Sequence, residues 1–454
     1  MRSSRRLKQF LILAIDVAFL YLALFLALYF RKGAAPSPES WASHARAFFW
    51  IYVFWVALFY TAGLYNLDNE FVGLPFAKRL FWSASIGTFG AVLYFYLAAI
   101  DIEPKVTLAL TSGIGCLLIW AWRRGYAGLT RALTPRRALA FVGYDPIVAE
   151  IARAMRERPQ LGFEPRAIYE EDGQGKDIEG VTVYRDGDSF LWNVMQEDVR
   201  LFVVADGQSL SESVRFSLFN LIGLPARFVR LPDFYETLFR RVPVGSINDL
   251  WFLENIDLRS KRPYEILKRG LDILVASLGL LICLPFFPLI MAAIRIGSPG
   301  PAFFRQVRLG KGGKGFTMIK FRTMRQDGNN FAPTAKSDSR ITGFGNFLRK
   351  TRLDELPQMF NILKGDMSFV GPRPERPELV EELKARIPFY MQRLLVKPGV
   401  TGWDQVSGEY HSPSVDDTYK KLQYDLYYIK NLSPLLDASV FFKTILTVIT
   451  RSGR

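Results

Sequence analysis

Long uncharged runs dominate the first 125 residues. Residues 10–30 are apolar except for Asp16. At ~1.5 Å per residue, a helix of that length crosses the ~30 Å hydrocarbon core of a bilayer. Runs 47–65 and 81–100 are uncharged and nearly as long, and 106–122 is uncharged at the short limit. The four predict a transmembrane α-helical bundle over residues 1–125. A cleaved signal peptide does not account for the first run, because it is long and three more follow. Arg2, Arg5, Arg6 and Lys8 precede the first helix; Arg123, Arg124, Arg131, Arg136 and Arg137 follow the fourth. Basic flanks stay in the cytoplasm, so both ends of the bundle are expected there. Asp16 is expected near the interface or facing another helix.

From residue 138 the runs shorten. Strand-like segments at 138–143, 181–184, 201–205 and 226–231 are interspersed with helical stretches at 146–158, 189–196 and 209–222. This alternation predicts a small parallel α/β sheet, a Rossmann-like module over 136–255. Its first turn, Gly143-Tyr144-Asp145-Pro146, lacks the further glycines that let backbone amides approach a pyrophosphate. A structural or regulatory role is expected of it.

A fifth run, 271–294, is apolar except for Asp272. Pro285 and Pro288 lie inside it, and both flanks are basic: Lys268 and Arg269 before, Arg295 after. Internal prolines break a helix, and two basic flanks belong on one side. The pattern predicts a re-entrant helix over 268–295, broken at Pro285. Asp272 is then expected near the interface, paired with Lys268 or Arg269.

Charge sharpens the picture. The chain carries +15 overall, which suits nucleic acid, anionic lipid or phosphorylated substrates alike. Between 299 and 352, twelve bases face two acids, directly after the membrane element. Part of that stretch is a surface for anionic headgroups. With no aromatic stacking platform beside it, nucleic acid is not expected as a partner. Two cysteines, Cys116 and Cys283, and two histidines, His44 and His411, are too few for a disulfide framework or a thiolate or imidazole metal cluster.

Within that basic stretch, Lys320-Phe321-Arg322-Thr323-Met324 reads as a strand with Lys320 and Arg322 on one face, toward phosphate or lipid. The segment Arg349-Lys350-Thr351-Arg352-Leu353-Asp354-Glu355-Leu356-Pro357-Gln358 sets two adjacent acids behind three bases. Adjacent carboxylates disfavour each other's ionised form, so a cation or nearby bases must keep both charged. Residue types alone leave two readings open: a solvated ion-pair face on a helix, or a site where carboxylate and metal meet a phosphate. Arg373, between Pro372 and Pro374, reads as a pre-organised anion clamp or as a rigid turn with an exposed base. Arg376 follows closely; Glu375, Glu378, Glu381 and Glu382 read as a solvated helix face. A helix at 416–428 carries Tyr419, Tyr424, Tyr427 and Tyr428 as core or interface anchors, and 435–449 reads as a helix lying on the membrane.

These motifs, in this order, resemble the bacterial sugar transferase family, the monotopic phosphoglycosyl transferases. The resemblance covers roughly the last 190 residues. It rests on Lys268-Arg269-x-x-Asp272, the Lys320–Met324 and Leu353–Gln358 segments, Gly365-Asp366-Met367-Ser368-Phe369-Val370-Gly371-Pro372-Arg373-Pro374-Glu375, and Pro398-Gly399-Val400-Thr401-Gly402-Trp403. The four spans and the middle module look like the family's long form. The resemblance implies a third part over 256–454, an α/β monotopic catalytic domain with the re-entrant membrane helix. It implies a UDP-hexose donor and polyprenyl (undecaprenyl) phosphate as acceptor. Asp354 would be the nucleophile and Glu355 a ligand of Mg²⁺, with Lys320, Arg349 and Arg373 on phosphates. Arg322, Arg352, Gln358 and Arg376 are further substrate-binding candidates. UMP would leave, and a polyprenyl-diphospho-sugar would form at the bacterial inner membrane with the catalytic part in the cytoplasm. A homodimer through the middle module is implied by analogy. Asp404 departs from the family pattern, where a small residue is expected. Two other classes compete: a glycosyltransferase releasing UDP, and a membrane-anchored nucleotide-sensing regulator.

Overall fold

A computed structural model describes residues 2–65, 73–97, 105–133, 136–171, 180–205, 216, 218–219, 226–325, 338–407 and 414–450. His411 and most of the helix expected at 209–222 lie outside them. The chain forms two compact units, Met1–Leu231 and Pro232–Arg454.

The first unit begins with four helices: α1 (Arg2–Lys32), α2 (Pro38–Thr61), α3 (Leu74–Leu97) and α4 (Lys105–Leu133). Each contains a stretch long and apolar enough to cross a membrane. Asp16 on α1 faces α4, where its carboxylate accepts from Arg123 Nη2 at 2.7 Å and Trp122 Nε1 at 3.0 Å. Asp16 and Arg123 are fully buried, and the guanidinium also lies over the Tyr65 ring. Tyr52 on α2 donates to the Leu20 carbonyl at 2.9 Å, tying a third helix to the pair.

Next comes a five-stranded sheet, β1 (Arg137–Val142), β2 (Phe163–Tyr169), β3 (Thr182–Tyr184), β4 (Leu201–Val204) and β5 (Arg227–Arg230). It is parallel throughout, in the order β3-β2-β1-β4-β5. Helices α5 (Pro146–Glu157) and α6 (Gly187–Gln196) are capped by Asp145 and Asp186, and pack Ile151, Met155, Phe190 and Val194 inward. The sequence pattern misses β2, because Pro165 and the charged Glu164 and Arg166 hide its alternation. Pro165 is tolerated because the register shifts there: Leu139 pairs with Pro165 and Ala140 with Ala167.

The second unit starts earlier than the sequence suggests. Residues 232–255, expected in the middle module, carry α7 (Leu231–Phe239) and α8 (Asp249–Asn255). Val242, Val244 and Trp251 of this segment share a core with Leu422, Leu426 and Ile429. Two helices follow, α9 (Arg262–Cys283) and α10 (Phe287–Gly297), joined by a single 3₁₀ turn at Leu284–Phe286 with Pro285 inside it. Leu280, Phe287 and Ile294 face the body of the unit, while Leu281, Ile282, Leu289 and Ile296 are exposed.

That body holds the hairpin β6 (Phe303–Leu309) and β7 (Gly315–Phe321), helices α11 (Gly343–Thr351) and α12 (Gln358–Lys364), β8 (Ser368–Val370), α13 (Pro377–Arg386), β9 (Gly399–Thr401), α14 (Val415–Lys430) and α15 (Pro434–Thr450). β8 and β9 pair in parallel. Tyr424 and Tyr428 are core residues, as the tyrosine pattern predicts.

The flanks of the fifth apolar segment are bonded differently than expected. Asp272 pairs with neither base; it accepts from the Phe369 backbone N–H at 3.1 Å. Arg269 instead donates to the Ile362 and Leu363 carbonyls at 2.5 and 2.7 Å, closing the C-terminus of α12. Lys268 pairs with Asp437 and donates to Tyr428 Oη. A short backbone acceptor or a carboxylate within reach outcompetes a neighbour one helical turn away.

The Asp16–Arg123 pair gives a direct test. Asp16→Ala strands a buried guanidinium and is expected to cost about 3–5 kcal/mol, whereas joint replacement of both residues by leucine costs much less. Thermal unfolding in detergent micelles measures both.

Candidate active site

The acidic pair sits on a forced turn. Thr342 caps α11 by accepting from the Gly345 N–H at 2.9 Å, and α11 runs to Thr351. Arg352 then adopts a left-handed conformation (φ 58°), uncommon for a residue with a side chain. A tight turn at Leu353–Glu355 follows, and Pro357 precedes α12. Leu353 and Leu356 pack into the core against Phe321 and Leu348. Anchored on both sides by leucines, Asp354 and Glu355 stay half-buried.

Glu355 Oε1 accepts from Lys320 Nζ at 2.9 Å, and Arg352 Nη1 lies 3.9 Å away. Burial pushes Glu355 up, but Lys320, Arg373 and Arg352 outweigh it and hold the carboxyl at about 2. Burial also pushes Lys320 down, against the pull of Glu355. Asp354 goes the other way: burial and then the Glu355 charge raise it, opposed by Lys320, Arg352 and Arg349. Its Oδ1 is buried with no hydrogen-bond partner, and so is Nη1 of Arg349. Two neighbouring carboxylates thus differ in kind, one locked in an ion pair and one with an unspent oxygen.

Arg373 acts on Glu355 and Lys320 through its charge, and its side chain is exposed. Its turn is held from beneath. Gly371 N–H donates to the Thr401 carbonyl, and Gly399 N–H to that of Pro372, both at 2.9 Å. A Cβ on Gly371, Gly399 or Gly402 would enter the opposite backbone, which explains the glycines of both motifs. Buried Arg393 donates to the Arg373 carbonyl at 3.0 Å, to Asp425 Oδ2 at 3.1 Å and to Tyr390 Oη at 2.7 Å. Burial opposes the Arg393 charge, but Asp425, Tyr390 and Glu375 keep it ionised.

The structure therefore gathers Asp354, Glu355, Lys320, Arg349, Arg352 and Arg373. Arg322 does not join them. β7 ends at Phe321, and the Arg322 guanidinium donates to the Ser298 and Pro299 carbonyls at 2.5 and 2.8 Å. Gln358 is buried at the start of α12. Arg376 stands by Arg308, whose burial and neighbouring bases lower it. Glu375 leaves the solvated face to pair with Arg308 (3.6 Å) and Arg393 (4.0 Å). Asp404 lies half-buried near Asp425, which feels its charge. Among the described residues, no group of three or more His, Cys, Asp or Glu side chains could hold a metal by itself. Sequence reasoning missed Asn361, Arg393 and Asp425. Asp425 was findable, since an acid on the apolar stripe of Leu422, Leu426 and Ile429 demands a buried base.

Residues 263–451 match the family model described as Bacterial sugar transferase. The UDP-glucose:undecaprenyl-phosphate glucose-1-phosphate transferase of Klebsiella pneumoniae is 33% identical over 84% of this chain and 84% of its own length. The corresponding protein of Escherichia coli (strain K12) is 31% identical, covering 80% of this chain and 79% of its own. The UDP-N-acetylgalactosamine-undecaprenyl-phosphate N-acetylgalactosaminephosphotransferase of Aeromonas hydrophila is 48% identical over 48% of this chain. That match spans 51%, about half, of the Aeromonas protein. The chain belongs to the bacterial sugar transferase family and is an enzyme of the phosphoglycosyl transferase class.

Arg393→Ala strands Asp425 and frees the Arg373 carbonyl. It is expected to destabilise the protein by about 3–5 kcal/mol, read by thermal unfolding.

Proposed function

We propose that the protein transfers a hexose-1-phosphate from a UDP-hexose to undecaprenyl phosphate in two displacements at Asp354. The observation that carries this reading is the buried, unpartnered Asp354 Oδ1 beside Lys320, Arg349 and Arg352. In the first displacement Asp354 attacks the sugar-linked phosphorus, a P–O bond forms, and the bond to the UMP oxygen breaks. In the second, a phosphate oxygen of undecaprenyl phosphate attacks the same phosphorus and the carboxylate leaves. UMP and an undecaprenyl-diphospho-sugar result, the first membrane step of an exopolysaccharide, capsule or O-antigen.

Lys320, Arg349 and Arg373 would hold the diphosphate, and their charges let an anionic carboxylate approach it. Both ion pairs of Glu355 fall on Oε1, so its second oxygen would hold Mg²⁺, which takes one or two carboxylates and completes its shell with substrate phosphates and water. Bound there, the ion would neutralise charge on the leaving phosphate. The relatives' names point to glucose and to N-acetylgalactosamine as candidate sugars.

The hairpin reading extends to the membrane. Arg269 ties one flank of the fifth apolar segment to α12, and Arg322 ties the other to the end of β7. Asn361 bonds α12 to β7, so both flanks end on one polar body. That supports a re-entrant element with its break at Pro285, in an inner-membrane protein whose catalytic unit faces the cytoplasm. The parallel sheet of the first unit, in its 3-2-1-4-5 order, supports a Rossmann-like module.

Purified protein with Mg²⁺, undecaprenyl phosphate and a panel of UDP-sugars is expected to release UMP from one donor. Asp354→Asn abolishes release, and EDTA stops it until Mg²⁺ is restored. UDP in place of UMP would overturn the covalent scheme. Single cysteines at Ser260 and Gly297, in a background without Cys116 and Cys283, are expected to label from the cytoplasmic side only. Labelling of one position from outside would mean a straight span.

A further inference from the structure

Lys320 and Glu355 stand on different elements, and the bond between them depends on how β7 and α12 are aligned. The apolar contact between the two, Phe316 and Met318 against Ile362 and Met359, is non-directional and fixes no register. One side chain does. Asn361, 3% exposed on α12, accepts from the Ile319 N–H through Oδ1 at 3.1 Å and donates to the Thr317 carbonyl through Nδ2 at 2.7 Å. It occupies one edge of β7 as a strand would; on the other edge β6 pairs Arg305 with Ile319 and Val307 with Thr317. Both halves of the amide are used, so a slide of one residue would set acceptor against acceptor.

On the β7 side, Ile319 is followed directly by Lys320. On the α12 side, Met359 N–H donates to the Leu356 carbonyl and Phe360 N–H to that of Pro357, both at 3.1 Å, carrying the position of Asn361 back to Glu355. The Asn361 carbonyl also accepts from Gly365 and Asp366 N–H at 3.0 Å, closing the far end of α12. Asn361 touches neither carboxylate nor Lys320 in these bonds; its action is on the frame that presents them.

We propose that Asn361 is a positioning residue for the transfer reaction, setting the register of β7 on α12 and thereby holding Lys320 against Glu355 and the donor phosphate. The proposal rests on the two-displacement reading and is tested with full-length protein by a double-mutant cycle. Asn361→Ala is expected to lower kcat for UMP release about 10- to 100-fold with KM changed less than about twofold, the scale of a small misplacement at a reacting centre. Asn361→Asp keeps the acceptor for Ile319 and loses the donor to Thr317, so it falls between wild type and Ala and serves if Ala does not fold. In a Lys320→Ala background, adding Asn361→Ala is expected to cost less than about twofold, because its effect runs through Lys320. A merely structural role would cost the same factor in both backgrounds and would overturn the proposal. Amide exchange separates this failure from failure of the reaction scheme. Exchange at Ile319 is expected to speed up in Asn361→Ala whether or not UMP is released. Unchanged exchange there would remove the register claim.

Discussion

Two adjacent carboxylates cannot both keep their charge out of water unless cations stand close enough to offset repulsion and lost hydration. The second unit is built around meeting that condition at Asp354 and Glu355. Lys320 and Arg352 are spent largely on Glu355, which stays ionised. Asp354 keeps an oxygen free and is pushed toward its neutral form. In the proposed two-displacement scheme, that leaves one acid fixed in an ion pair and the other with an oxygen open to the donor phosphorus, whose approach the surrounding bases assist.

Most of the remaining structure keeps the backbone under these groups from shifting. The Arg352 turn, the leucines on either side of the pair, the glycine contacts between the two loops and the Arg393–Asp425 pair all act on the main chain. Side-chain flexibility at the site then costs little, because each charged group starts from a fixed Cα.

Legibility from sequence followed the same division. The long apolar helices, the parallel sheet, the 3₁₀ turn at Pro285 and the acidic pair each leave a local mark: an uncharged run, an alternation, a proline, a charge cluster. What stayed hidden was pairing between distant positions. Lys320 and Arg322 are alike in type and lie in one short motif, yet one faces the site and the other is bonded to Ser298 and Pro299. Only the end of β7 at Phe321 separates their fates, and strand ends are poorly marked when the residues beyond remain apolar or basic. β2 was lost because its bulge places a proline where a strand forbids one.

The distribution of bases therefore carries two separate meanings. Arg269 and Arg322 bond to backbone carbonyls, with no acid among the described residues paired to either, at the flanks of the apolar segment. Lys268 is offset by Asp437, and Arg340 by Asp338 at 2.6 Å. A guanidinium can thus pin the backbone and still attract an anionic surface, each juxtamembrane charge adding about 1 kcal/mol. An ammonium paired with a carboxylate does the first at the expense of the second. At these two flanks arginine bonds to backbone without taking up an acid, which is why counting charges says nothing about which base faces the acidic pair.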